Sequence, residues 1–260
     1  MATTFTRNPS PNLVLSSGGT VVTANADTVN AYVVATPTYA VGKRYVEFKM
    51  LNAHAVEYSS VGLAADADST SWLGAASGNG IGLWGNGVVY LDGDPIVDLF
   101  SGNIATNDII RLAVDLSLRR LWFGVNNTWY GSPTDGTGGI TSMPSGALGP
   151  AACPYRNNRS IQLKAAASDL VYTPPTGFIP WGTTFRFDGT VRDDNNSPFA
   201  TTVRAFNRAT GVLCASTTSN ASTGEFTLYL PDDSEFDLQV MYPTSARNDK
   251  FYARCSPYEE

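Results

Sequence analysis

Helical periodicity is the first thing this 260-residue sequence lacks. No window of a dozen residues spaces its apolar side chains three and four apart, and the pattern that does recur is period two. Lysine is scarce, with four among the 17 basic residues, and no basic run is longer than a pair. Against 23 acidic residues this leaves a formal charge of −6, which argues against nucleic acid or an anionic membrane as partner. No apolar run approaches the roughly 20 residues of a membrane-spanning helix, so no membrane insertion is expected. The opening MATTFTRNPSPN has no basic segment followed by an apolar core, so no signal peptide is expected either.

Reactive side chains are nearly as rare. The single histidine, His54, stands in LNAHAVEY with no nucleophile motif to serve, and is expected in a loop without a chemical role. Cys153, Cys214 and Cys255 are odd in number and far apart, unlike metal-binding pairs or a disulfide framework; they are expected as free thiols of a protein folded in a reducing compartment. Asp92 and Asp94 flank Gly93, which reads as a turn before it reads as a glycosidase pair. Asp66 and Asp68 lack the spacing of a calcium loop, and the run from Asp193 to Asn196 suits a hairpin. GNGIGLWGNG has neither the Lys-Ser or Lys-Thr nor the helix of a phosphate loop. The expectation is a protein with no catalytic residue, no metal and no cofactor.

What the sequence does contain is sheet. In NDIIRLAVDLSLRRLWFGVNNTWY, Ile110, Leu112, Val114 and Leu116 fall on one face, with Arg111 and Asp115 assigned to a solvent face opposite. Leu121, Phe123 and Val125 repeat the alternation, and Asn126-Asn127 suits a tight turn because Asn tolerates positive φ. Residues 45–50, 61–64 and 87–91 read as further strands. TPPTGFIPW, residues 173–181, reads as a stiff linker, beyond which about seven shorter strands follow. The fold class expected is all-β, with one sandwich in residues 1–177 and a smaller immunoglobulin- or transthyretin-like sandwich in residues 178–260.

Several of these stretches, in order, resemble a SPRY domain. PNLVLSSGGTVVTA is similar to the family's opening strand, GKRYVEFKM to its G-K-x-Y-x-E strand, and SVGLA to the next short one. WLG with GIGLWGNGVVYLDG is similar to the central hairpin, and the segment quoted above to the strand ending in Val-Asp, the Leu-Trp-Phe and the Trp beyond a second turn. IQLKAAASDLVYTPPTGF is similar to the closing strand and its Pro-x-Gly-Phe exit, so the resemblance spans residues 8–178. The turn Leu116-Ser117-Leu118-Arg119 departs from the family's Asn-Gly. FDGTVRDDNNSPFATTVRAFNRATGVLCASTTSNASTGEFTLYL resembles the transthyretin-like, carboxypeptidase-regulatory type of domain appended to bacteriophage tail and virion proteins.

The resemblances imply a non-enzymatic bacteriophage virion protein, a tail or surface-appendage component that mediates attachment or host recognition. Its partners would be other virion proteins in an oligomeric assembly and a host-surface glycan or protein. Synthesis in host cytoplasm would reconcile an exposed, Ser-, Thr-, Asn- and Gly-rich chain with unpaired thiols. Two other readings stand beside it: an intracellular SPRY-type peptide-binding adaptor, and a carbohydrate-binding or carbohydrate-degrading protein. In each, contacts would come from loops on a rigid scaffold: residues 51–59, 66–80, 95–106, 130–139 and 154–158. Trp72, Trp129, Tyr130 and Tyr155 are the candidate aromatic anchors, with Asn157 and Asn158 as hydrogen-bonding neighbours. Trp129 and Tyr130 follow a family motif and are read as core before contact; Trp72 stands evenly between the two.

Overall fold

The computed structural model describes residues 2–52, 59–68, 70–75, 80–100, 104–193, 195–230, 235–241, 250–255 and 257–259. The chain divides into two compact units, Met1–Gly182 and Thr183–Glu260. Both are built of strands, and the helical content among the described residues is two single 3-10 turns.

The first unit opens with β1 (Thr4–Arg7), β2 (Leu13–Ser16), β3 (Val21–Ala24), β4 (Val33–Thr36) and β5 (Lys43–Asn52). There follow β6 (Ser60–Ala64), β7 (Gly80–Trp84), β8 (Val88–Leu91), β9 (Asp94–Asp98) and β10 (Ile109–Asp115). The unit closes with β11 (Arg120–Val125), β12 (Thr128–Trp129), β13 (Gly149–Cys153), β14 (Ser160–Lys164) and β15 (Ile179–Pro180). One sheet has the order β1-β4-β13-β6-β7-β8-β9; the other has β12-β11-β10-β5-β14-β3-β2, with β15 alongside β5. Apart from β15, which runs parallel to β5, every pairing is antiparallel and joins an odd-numbered strand to an even-numbered one. All odd-numbered strands therefore run toward one end of the sandwich, and all even-numbered strands leave from it.

Between the sheets lies one apolar core. Phe48, Ile110, Leu112, Val114, Leu121 and Phe123 enter it from one side, and Val33, Val61, Leu63, Ile81, Leu83 and Val89 from the other. The inward face of β10 is as the alternation predicts. Its other face is not solvent: Arg111, Ala113 and Asp115 are buried too. β10 sits mid-sheet between β11 and β5, and its outer face is roofed by later chain, so alternation in composition does not become alternation in exposure.

That roof is the segment expected to be a linker. Phe178 stands edge-on to Trp122 with ring centroids 5.9 Å apart, and the two share a cluster with Tyr45 and Ala113. Trp181 is fully buried; its backbone N–H donates to the Tyr45 carbonyl and its indole N–H to the Pro37 carbonyl. The first unit consequently continues to Gly182, past the expected end at Gly177. The prolines stiffen a strap rather than a free connection, because three large apolar residues follow them and find sheet to pack on.

The second unit contains β16 (Phe185–Thr190), β17 (Thr202–Asn207), β18 (Leu213–Thr218), β19 (Glu225–Leu230), β20 (Phe236–Val240), β21 (Lys250–Cys255) and β22 (Tyr258–Glu259). They form a sheet of order β19-β16-β22 and another of order β18-β17-β20-β21. Leu228 and Leu230, and Phe236, Leu238 and Val240, turn inward as their period-two spacing predicts, joined by Phe185, Val203 and Ala205.

Candidate functional site

The parallel course of the odd strands brings the strand ends before seven connections to one end of the first unit, those after β1, β3, β5, β7, β9, β11 and β13, of which residues 53–58 and 101–103 lie outside the described residues. We call it the loop end. The sequence there is unusual in one respect. Eleven asparagines of the first unit lie among the described residues, at positions 8, 12, 25, 30, 52, 86, 107, 126, 127, 157 and 158. Every one of them lies in these connections or, as Asn52 does, at the strand end beside them.

Some of these side chains brace the loops. Asn52 Nδ2 donates to the Asn158 carbonyl (2.9 Å), and its Oδ1 accepts from Arg159 Nη1 (3.0 Å). Asn126 Nδ2 donates to Asp108 Oδ1 (2.8 Å) while Asn126 Oδ1 accepts from the Ile109 N–H (3.0 Å). Asp108 Oδ2 accepts from the Ala105 N–H, and Asp27 Oδ1 from the Asn157 N–H. Asn126 takes φ of 49°, as the tight Asn-Asn turn requires, and Asn158 takes 61°. Tyr155 is half-buried; its N–H donates to Ser59 Oγ and its carbonyl accepts from the Val29 N–H. The loop end is thus cross-linked by charged and amide hydrogen bonds, several of them between segments far apart in sequence.

Of the residues singled out from sequence, Tyr155, Asn157 and Asn158 come together here. Trp72 does not join them in a free loop. The connection after β6 folds back over the outer face of its sheet, where Leu73 drops into a trough made by Gly80 and Gly82. A Cβ on Gly82 would meet the Leu73 carbonyl at 2.9 Å, and one on Gly80 the Leu73 side chain at 2.6 Å. Trp72 is carried along. It stands edge-on to Trp84 (centroids 4.6 Å) and Tyr90 (5.6 Å), and Trp84 donates its indole N–H to the Leu73 carbonyl. Nothing in the local sequence of residues 66–75 announces that partnership, since Trp84 and Tyr90 belong to other strands.

Trp129 and Tyr130 lie on the other sheet, at its β12 edge. Trp129 packs over Gly124, and its ring and that of Tyr172 lie 4.4 and 4.6 Å from the Arg111 guanidinium. Nε and Nη2 of Arg111 have no hydrogen-bond partner among the described residues, and burial lowers its pKa. Neighbouring Glu47 is fully buried. Its carboxylate accepts from the Tyr45 hydroxyl (2.7 Å) and from the N–H groups of Val171 (2.7 Å) and Tyr172 (2.8 Å), which fastens the strap. Burial, and then the bond to Glu47, raise the Tyr45 pKa. Trp129 is therefore half-buried packing, whereas Tyr130 is exposed.

The loops expected at residues 51–59 and 95–106 are shorter than their spans. Asn52 ends β5, and Pro95 lies in β9, an edge strand where its missing N–H costs no ladder bond. Carboxylates elsewhere serve turns. Asp92 and Gly93, at φ of 55° and 89°, form the tip between β8 and β9. Asp68 Oδ1 accepts from the Thr70 and Ser71 N–H groups, and Asp193 Oδ1 from those of Asn195 and Ser197. Burial pushes the Cys153 thiol up to about 11, which keeps it protonated and unreactive near neutrality. His54 lies outside the described residues. In the second unit, a cleft of about 310 Å³ is lined mainly by apolar side chains, among them Val191, Phe226 and Leu238.

No protein-family model and no curated protein matches the chain. Among solved structures, the SPRY domain of human HERC1 is similar at 14% identity with a TM-score of 0.47, over 58% of this chain and 91% of that one. The TRIM65 PSpry domain is similar at 13% identity and a TM-score of 0.46, over 63% and 92%. The Drosophila melanogaster neuralized-NHR1 domain gives 14% and 0.42, over 62% and 97%. At such identities and TM-scores these likenesses bear on neither ligand nor activity.

Proposed function

We propose that this chain is a non-enzymatic recognition protein of a bacteriophage virion, a tail or surface-appendage component that joins other virion proteins and contacts the host surface. The observation that carries the recognition reading is the loop end: connections gathered by strand direction, their described residues braced by hydrogen bonds, with exposed amides above a closed core. A rigid sandwich that presents polar loops is a scaffold for binding. The carboxylates of Asp68 and Asp193 accept from backbone N–H groups of their own turns, which favours a binder over an enzyme.

The virion setting rests on sequence. Residues 8–178 resemble a SPRY domain, and the segment that begins at Phe187 resembles the transthyretin-like domains appended to phage tail proteins. A surface poor in lysine and free thiols in an exposed protein both suit synthesis in host cytoplasm followed by lysis. The test is to purify intact particles and label them with antibody to this chain. Label on a tail or surface appendage is expected, and incubation with host polysaccharide should release no reducing ends. Particles without the chain would remove the virion reading; reducing-end release would remove the non-enzymatic one.

A further inference from the structure

We propose that the loop end of the first unit binds a neutral, hydroxyl-rich glycan; this deepens the recognition reading above and rests on it. The starting point is the confinement of all eleven described asparagines of the unit to one end. Turn geometry accounts for part of this. Asn107, Asn126 and Asn158 have φ of 72°, 49° and 61°, where Asn is favoured over other side chains. Loop bracing accounts for Asn8, Asn25, Asn52, Asn86 and Asn126, whose amides are hydrogen-bonded within the unit. Positive φ and loop bracing leave Asn12, Asn30, Asn127 and Asn157, of which Asn12, Asn127 and Asn157 are central turn residues at negative φ, where several other polar residue types serve as well. These four are exposed, lack positive φ, and make no side-chain hydrogen bond to the described residues.

The chemistry of the surplus indicates the ligand. Each amide offers one acceptor oxygen and two donor hydrogens without charge, which matches hydroxyl groups that both give and accept. An anionic ligand would select for an excess of arginine or lysine, whereas the described residues of these loops carry Asp27 and Asp108 alongside Arg156 and Arg159. A protein partner would select for exposed aromatic or large aliphatic anchors at the centre of the surface. Among the described residues, the exposed large apolar side chains of the first unit lie elsewhere: Val14, Ile96, Leu118, Tyr130 and Val171 are on strands, at the opposite end, beyond β12 and on the strap. Half-buried Tyr155 supplies a ring without a protruding apolar knob. The surface also has length. β11, β10, β5 and β14 are consecutive neighbours in the sheet, so the turns holding Asn127 and Asn158 stand three strand spacings apart. At about 4.8 Å per spacing that is about 14 Å, a span for an oligosaccharide rather than a single sugar.

The test is a glycan array of neutral hexose and N-acetylhexosamine oligosaccharides beside sialylated, uronate-bearing and sulfated ones, probed with the full chain. Binding to neutral glycans is expected, with loss after mild periodate cleavage of vicinal diols. A variant carrying Asn30→Ala, Asn127→Ala and Asn157→Ala should bind at least tenfold more weakly at an unchanged melting temperature. If the triple variant folds poorly, Asn127→Ser alone should still show a severalfold loss. A preference for acidic glycans, undiminished binding by the variants, or no glycan binding at all would overturn the proposal. The recognition reading is scored separately, by adsorption of particles to host cells. Adsorption weakened by the triple variant in the absence of glycan binding leaves a recognition surface with a different ligand; undiminished adsorption removes both.

Discussion

At one end of the first unit long connections turn back over the outer faces of the sheets they join; at the other the connections gather the asparagines, while those after β3 and β9 also send Val29, Ala31 and Ile104 into the core between the sheets. From the first end, the segment after β6 lays Leu73 and Trp72 on one outer face. The segment after β12 runs beside β11, where Ile140 pairs with Leu121 and Thr137 accepts the Trp122 indole N–H. The segment after β14 straps the other outer face through Glu47 and Phe178. At the loop end, asparagines and aspartates tie neighbouring turns to each other instead. The difference teaches that loop length and loop polarity belong to different tasks here. Long connections cover outer faces that carry apolar residues together with buried charged ones such as Glu47 and Arg111, and the exposed amides of the loop end are left free to meet a ligand.

The contrast can be broken most severely at the strap. Glu47→Ala removes the acceptor for two backbone N–H groups and the Tyr45 hydroxyl, and takes away the carboxylate beside the buried Arg111. Leaving a buried cation unpaired costs about 3–5 kcal/mol, so a drop of roughly 10 °C in melting temperature is expected. Proteolysis of the native protein should open first within residues 166–176. Should Glu47→Ala melt like the parent, the strap is not held as described.

Trp72 is the next test, because it was a candidate contact and proves to be packed. Trp72→Ala deletes one ring of a three-ring cluster and should cost about 2 kcal/mol in a thermal or urea melt, less than a fully buried tryptophan. A normal melt combined with lost recognition would return it to the binding surface. Asp115→Ala should be milder, at about 1 kcal/mol by urea midpoint, since it removes a buried acceptor for the Leu118 N–H of the exposed turn after β10. A fully neutral outcome would restore the solvent-facing assignment made from alternation. The smallest stability effect belongs to the loop end: Asn127→Ala should change the melt by about 0.5 kcal/mol or less while weakening glycan binding. An Asn127→Ala variant that unfolds more easily than Trp72→Ala would invert the contrast between the two ends.

Much of this was legible in the chain. Alternation placed Leu112 and Phe123 inward, because a strand's side chains can only point two ways. Asn126, in Asn126-Asn127, and Asp92-Gly93 marked turns because positive φ is tolerated by few residues. Reading Trp72 as a loop aromatic failed for want of any local sign of Trp84 and Tyr90. Reading Pro174-Pro175 as a linker failed because proline stiffens a packed strap as well as a free one.

By itself, then, the sequence determined the strands, their inward faces, their turns and the poverty of reactive groups. These depend on local backbone preference and on period two, both of which are written residue by residue. Tertiary structure alone decided which outward faces are covered, that Arg111 and Asp115 are buried, and that asparagines from residue 8 to residue 158 meet at one end. Those outcomes follow from strand direction and from which distant segment lies over which sheet. No window of sequence contains them, because the partners are brought together only when the sheets close.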